Sequence, residues 1–312
     1  MIALLAPGQG AQKPGMLSPW LELDGVPERI AAWSAATGLD LRRLGTTADA
    51  DEIKDTAITQ PLVVAQSLVA FEVLRERIAL PADTVLAGHS VGELAAAAMA
   101  GVLAADDAVA LAAVRGAEMA AACDLEPTGM AAVMGGDPDE IADWLIEQDL
   151  VPANINGAGQ IVAAGSKAAL DRLAEQSRPG IKIITLKVAG AFHTRYMAPA
   201  EQALRERAKD IITGTVGDPT FTLLSNADGE PVSSGAEMLE LLIAQLTKPV
   251  RWDECMATMA RLGVTATAEM PPAGTLSGLV RRQLAGVATL PLKSPAEVDK
   301  VAALVAEHGG TQ

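Results

Sequence analysis

Residues 85–99 read Val85-Leu86-Ala87-Gly88-His89-Ser90-Val91-Gly92-Glu93-Leu94-Ala95-Ala96-Ala97-Ala98-Met99. A short apolar run passes through Gly-x-Ser-x-Gly into an alanine-rich, helix-forming segment. That order predicts a buried strand, a sharp turn and a helix, the context in which a serine becomes an exposed nucleophile. The glycines permit the tight turn and let neighbouring backbone approach closely. The helix N-terminus sets its dipole and free N–H groups beside Ser90, where they can stabilise an oxyanion. A rival reading takes Ser90-Val91-Gly92-Glu93 as a capping box, with Ser90 doing no more than ending the helix. The strand before and the helix after favour the nucleophile.

Working outward, short apolar runs alternate with helix-period segments through most of the chain, which predicts an α/β fold with a largely parallel sheet. Residues 2–6 and 85–88 read as buried strands, and 62–80, 91–99 and 106–123 as helices. A different rhythm begins at Met130: strand 130–134, helix 138–148, strands 151–156 and 160–164, helix 166–176, strand 182–188. Gly135-Gly136-Asp137-Pro138, Gly157-Ala158-Gly159 and Arg178-Pro179-Gly180 punctuate it. This β-α-β-β-α-β order is the split pattern of a ferredoxin-like unit. A helix over 199–209 and strands at 222–225 and 267–269 then resume the first rhythm. The insert is bounded at 128–189, leaving 1–127 and 190–312 as a discontinuous large domain. A cleft between the two is the expected ligand site.

Half of the 312 residues are hydrophobic and only 3% aromatic, so the core must pack in aliphatic layers. The net charge of -15 argues against nucleic acid and against anionic membranes, both of which select basic surfaces. Cys123 and Cys255 form no disulfide framework, and with three scattered histidines no metal site can be read. The start MIALLAPGQG lacks a signal-peptide pattern, and the alanine-rich stretch from Leu94 to Ala105 is too short to span a bilayer. A cytoplasmic location is the default expectation.

A serine nucleophile needs a base. His89 adjoins Ser90 and would point away at a sharp turn, and His308 falls in a terminal helix expected to be exposed. His193, in Gly190-Ala191-Phe192-His193-Thr194, lies in a loop after the insert and could face the cleft. A lone histidine can equally be structural.

Six ordered motifs complete the picture: Gly8-Gln9-Gly10-Ala11-Gln12, Gly88-His89-Ser90-Val91-Gly92-Glu93, Arg115, Asn156-Gly157-Ala158-Gly159-Gln160, Gly190-Ala191-Phe192-His193-Thr194 and Gln245-Leu246-Thr247-Lys248-Pro249-Val250. From residue 1 to about 293 the chain resembles the malonyl-CoA:acyl-carrier-protein transacylases of bacterial type II fatty acid synthesis, and the related acyltransferase domains of polyketide synthases. The resemblance implies an α/β-hydrolase-like large domain carrying the ferredoxin-like insert. It also implies malonyl transfer from coenzyme A to the pantetheine thiol of an acyl carrier protein, through a malonyl-serine and without metal or other cofactor.

Roles then fall on matching residues. Ser90 would be acylated with His193 as base, and the amides of Gln9 and Val91 would form the oxyanion hole. Arg115 would hold the malonyl carboxylate in its planar fork; its plainer reading is a surface arginine paired with Glu118. A main-chain group near Gln245 would orient His193. Asn156 and Phe192 would line the pocket, Phe192 as a wall against an α-methyl branch. Arg281 and Arg282, with Lys248 and Arg251 on the same rim, would dock the acidic carrier protein that the bulk charge should repel. Met270-Pro271-Pro272-Ala273-Gly274 departs from the Gly-Pro-Gly run of relatives. Two other classes remain to be weighed: a serine hydrolase, which wants a carboxylate behind its histidine, and a binding module in which Ser90 only caps a helix.

Overall fold

Strand β1 (Ile2–Ala6) is apolar and buried at every position, as a strand covered on both faces must be. Its alternate residues enter different cores. Ile2, Leu4 and Ala6 join the larger cluster, and Ala3 and Leu5 the smaller one. The computed structural model describes residues 1–176 and 178–309; Ser177 within the expected small domain, and 310–312 at the end of the expected large one, lie outside the described residues. Among the described residues twelve α-helices surround two sheets.

The remaining strands are β2 (Val85–Gly88), β3 (Thr128–Met134), β4 (Val151–Gly157), β5 (Gln160–Ser166), β6 (Lys182–Thr185), β7 (Thr222–Leu224), β8 (Pro231–Val232), β9 (Val250–Arg251), β10 (Ala266–Glu269) and β11 (Ala288–Pro291). The first sheet runs β11-β10-β1-β2-β7-β8, parallel throughout except for the antiparallel edge strand β8. Ala6 sits opposite Gly88 and Leu5 opposite Glu269, so the carboxyl ends of these parallel strands share one rim. Ligands of open parallel sheets bind at such a rim. Helices 56–77, 92–99, 105–123, 198–211 and 298–308 feed one face, and Trp252–Arg261 and Thr275–Gln283 the other.

The second sheet runs β6-β3-β5-β4-β9. Within it β3 pairs antiparallel with both β5 and β6, and β5 antiparallel with β4. Pleat alternation divides its residues: Ala131 and Val133 pack on helices Pro138–Glu147 and Lys167–Glu175, while Met130, Ala132 and Val162 face a cavity beneath. Strand β9 adds to β4 in parallel, so a residue pair from outside the expected insert completes this sheet.

Several boundaries differ from expectation for identifiable reasons. The helix expected from Leu62 starts at Thr56, where the Asp55 carboxylate caps the Ala57 amide at 2.8 Å; Pro61 lies inside the helix rather than before it. This 22-residue helix is long and apolar enough to cross a bilayer, unlike the shorter stretch from Leu94, but 78% of its apolar window is buried in the protein. Regular pairing of β6 ends at Thr185, and Leu186, Lys187 and Val188 turn to line the cavity. The divergent loop at 270–274 is firmly held: Glu269 accepts from the Gly274, Leu276 and Ser277 amides at 2.7–3.0 Å, fixing the helix that borders the cavity.

Candidate active site

The turn after β2 is as tight as its sequence demands. Ser90 has φ 53°, a left-handed conformation that costs a non-glycine residue energy. A Cβ on Gly88 would lie 2.1 Å from the Gly92 carbonyl carbon, and one on Gly92 would lie 2.3 Å from the Ala6 carbonyl oxygen. Asn226, just beyond the carboxyl end of β7, staples the turn. Its Oδ1 accepts from the Ser90 amide at 2.8 Å, and its Nδ2 donates to the Gly88 carbonyl at 2.7 Å. The capping box does not form: the helix begins at Gly92 without a side-chain cap, and Ser90 Oγ turns away to His193.

Ser90 Oγ lies 2.7 Å from His193 Nε2, and His193 Nδ1 lies 2.9 Å from the Gln245 carbonyl oxygen. A carbonyl only accepts, so Nδ1 carries the proton and Nε2 presents its lone pair to the serine hydroxyl. Among the described residues no carboxylate stands behind the histidine, where a serine hydrolase would want one; the Gln245 carbonyl takes that place. Burial pushes His193 down to about 3, and the nearby Arg115 cation adds to the push while the Gln245 carbonyl opposes it. His89 instead bonds Asn156 Oδ1 at 2.9 Å. His308 bonds Thr265 Oγ1 at 2.9 Å and is half-buried rather than exposed.

Arg115 is no surface residue: it is 1% exposed and makes no ion pair among the described residues. Its Nη1 donates to Gln60 Oε1 at 2.7 Å, and its Nη2 donates to Gln245 Oε1 at 2.8 Å and toward Ser90 Oγ at 3.3 Å. A guanidinium is thus held by neutral amide oxygens beside the nucleophile. Burial pulls it down to about 10, which leaves it charged at neutral pH. Glu93, whose chain neighbours form the elbow, is buried behind it. Glu93 accepts from the Asn226 amide at 2.6 Å and from Gln245 Nε2.

A cavity of about 400 Å³ between the two sheets opens onto Ser90, His193 and Gln60, with Arg115 behind its lining. Gly8, Gln9, Ser90, Val91, Asn156, Phe192 and His193 line it. Among the described residues the main-chain amides of Gln9 and Val91 donate to no protein acceptor. Val91 owes this to its place at a helix start, where the first amides lack intrahelical partners. Phe192 is 7% exposed and Asn156 is 6% exposed. Thr275, Leu276 and Leu279 of the helix 275–283 also line the cavity, and Arg281 and Arg282 end that helix, exposed and unpaired among the described residues. Arg251 differs from the expected rim cation, because Asp253 at 2.9 Å and Glu254 at 2.6 Å neutralise it.

Asn226, Glu93, Gln60, Asn154 and Lys187 escaped the sequence reading. Asn226 follows a strand end on the rim of a parallel sheet, a signal that could have found it. Glu93 was visible only as a capping-box partner. Among the described residues Asn154 lines the cavity with its Oδ1 unpartnered, and Lys187 is the one lysine or arginine in the lining.

A serine–histidine pair at the rim of a parallel sheet, beside unpaired amides and a buried arginine, is an acyl-transfer site in type. A model of the acyl transferase domain family matches residues 4–307. The malonyl CoA-acyl carrier protein transacylase of Mycobacterium tuberculosis is 58% identical over 305 residues, covering 97% of this chain and 100% of that protein. That of Escherichia coli is 34% identical over 287 residues, covering 90% and 92%. The crystal structure of MCAT from Mycobacterium tuberculosis superposes with TM-score 0.92 at 57% identity, covering 97% of this chain and 99% of that one. A malonyl-transacylase solved with its type II polyketide acyl-carrier protein gives 0.88 at 29% identity, with coverage of 97% and 99%. The chain belongs to the malonyl CoA-acyl carrier protein transacylase family.

Proposed function

We propose that the protein transfers a malonyl group from malonyl-CoA to the pantetheine thiol of an acyl carrier protein through malonyl-Ser90, supplying fatty acid elongation. The observation that carries this reading is the buried Arg115 fork, held by neutral oxygens 3.3 Å from the hydroxyl that His193 activates. An acyl group on Ser90 that ends in a carboxylate would meet this buried cation.

His193 Nε2 takes the Ser90 proton as Oγ attacks the thioester carbonyl carbon. The oxyanion is received by the Gln9 and Val91 amides. Collapse breaks the C–S bond, and His193 returns the proton to the departing thiol of CoA. The carrier's thiol then gives its proton to His193, attacks malonyl-Ser90, and on collapse the proton returns to Ser90 Oγ. This sequence calls on no metal or redox cofactor and fits a cytoplasmic enzyme.

Two domains accompany the reading. Residues 1–127 with 190–312 form an α/β-hydrolase-like unit, supported by the elbow after β2 on a parallel sheet. Residues 128–189 form a ferredoxin-like one, supported by the split order β6-β3-β5-β4. Intact-mass analysis after mixing with malonyl-CoA tests the mechanism: one malonyl group should appear, map to Ser90, and be absent from Ser90→Ala. An adduct surviving in that variant refutes it.

A further inference from the structure

We infer that Glu93 is a positioning residue for malonyl selectivity, acting through the side chain of Gln245 to aim the Arg115 fork. The inference rests on the reading of Arg115 as the carboxylate clamp.

The geometry is a chain of three buried groups. Glu93 is 1% exposed, Gln245 5% and Arg115 1%. Gln245 stands between the acid and the cation, with Nε2 donating to Glu93 Oε2 and Oε1 accepting from Arg115 Nη2 at 2.8 Å. Only this orientation works. Turned over, the amide would set its NH2 against the guanidinium, pairing donor with donor, and its oxygen could bond Glu93 only by taking a proton from that carboxyl group. Glu93 therefore fixes which end of Gln245 meets Arg115. Gln60 Oε1 holds the other guanidinium nitrogen at 2.7 Å, so two acceptors define the plane of the fork. The Gln245 main chain has a separate task, because its carbonyl takes the His193 Nδ1 proton at 2.9 Å.

Glu93 has a second partner that makes the consequence of substitution definite. Its Oε1 accepts from the Asn226 main-chain amide at 2.6 Å. A main-chain N–H cannot turn, whereas a side-chain amide can. In Glu93→Gln the single remaining oxygen stays with Asn226, and the new NH2 faces Gln245. Gln245 then flips or withdraws, and Arg115 loses the acceptor that aims it. The elbow, tied to Asn226, and His193, tied to the Gln245 carbonyl, keep their partners.

The test compares acylation of Ser90 by malonyl-CoA and by acetyl-CoA, which lacks the carboxylate. Glu93→Gln should lower the malonyl-to-acetyl rate ratio about tenfold or more, the scale expected when a positioned charge-assisted contact is misdirected. Gln245→Met, which keeps the main-chain carbonyl for His193, should lower the ratio similarly and decides the matter where Glu93→Gln does not fold. In an Arg115→Ala background Glu93→Gln should leave the ratio unchanged, since there is no fork left to aim. Equal loss with both donors in Glu93→Gln or Gln245→Met, or a further fall of the ratio in the double variant, overturns the inference. Equal loss with both donors in Arg115→Ala alone overturns the clamp itself.

Discussion

Replacing Arg115 by alanine separates the clamp from every structural reading of this residue. A carboxylate in the fork would accept two charge-assisted hydrogen bonds, each contributing about 1.5–3 kcal/mol. Their loss, taken at the low end because water enters the vacated space, is about 3 kcal/mol. At 1.4 kcal/mol per factor of ten this is about 100-fold in malonyl transfer. The same change frees Gln60 Oε1 and Gln245 Oε1, at a cost of about 1–3 kcal/mol each, but that cost falls on stability and on both donors alike. Selectivity and stability therefore divide cleanly between two measurements. Single-turnover acylation by malonyl-CoA should drop about 100-fold, while acetyl-CoA acylation changes by less than about tenfold. A second readout is independent of the first. Arg115 adds to the burial that pushes His193 down, so its removal should move the acidic limb of acetyl transfer to higher pH, with burial still holding it below the ordinary histidine range. Parallel loss with both donors, together with an unmoved pH limb, would refute the clamp.

Phe192→Ser opens the apolar wall beside His193, and one methyl of room is worth about 1–3 kcal/mol. Methylmalonyl transfer should rise relative to malonyl without abolishing it, and an unchanged ratio dismisses the wall. Arg281→Glu with Arg282→Glu should raise KM for the carrier protein, and the wild-type KM should itself rise with salt. Malonyl-Ser90 formation and its discharge to free pantetheine should barely change; slowing of both half-reactions would place docking elsewhere.

Much of this was legible because it is local. The elbow declares itself in nine residues, since a strand, a strained turn and a helix need apolar, glycine and alanine positions in sequence. The four strands β3 to β6 of the second sheet declare themselves by period and turn residues. What stayed hidden joins distant segments. Glu93 and Gln245 lie 152 positions apart, and Asn226 reaches Gly88 across 138. No periodicity relates such pairs. The two-residue strands β8 and β9 carry too few side chains for an alternation to show. The helix expected over 62–80 runs over Thr56–Arg77, with Pro61 near its start, where packing outweighs the lost bond. Resemblance placed Arg115, but only the structure shows that neutral oxygens hold it.

That neutrality bears on why such a site would pass its acyl group to a thiol and not to water. Two features keep His193 a weak base at rest: first its burial, and second the Arg115 cation, which stands near enough to oppose an imidazolium. The Gln245 carbonyl behind Nδ1 works against both, but less than a carboxylate there would. A malonyl carboxylate in the fork would cancel the second of these, so the correct acyl group would raise the basicity of the histidine that must transfer it. An acetyl group would leave the cation uncompensated and the base depressed. Arg115 would then act twice, once in holding the carboxylate and once in releasing His193. In Arg115→Ala the second effect is present without the first, which is why acetyl transfer is expected to hold or improve while malonyl transfer falls. Water, a much weaker acid than a thiol, asks more of the base, so a histidine depressed in this way would favour the thiol as the second acceptor.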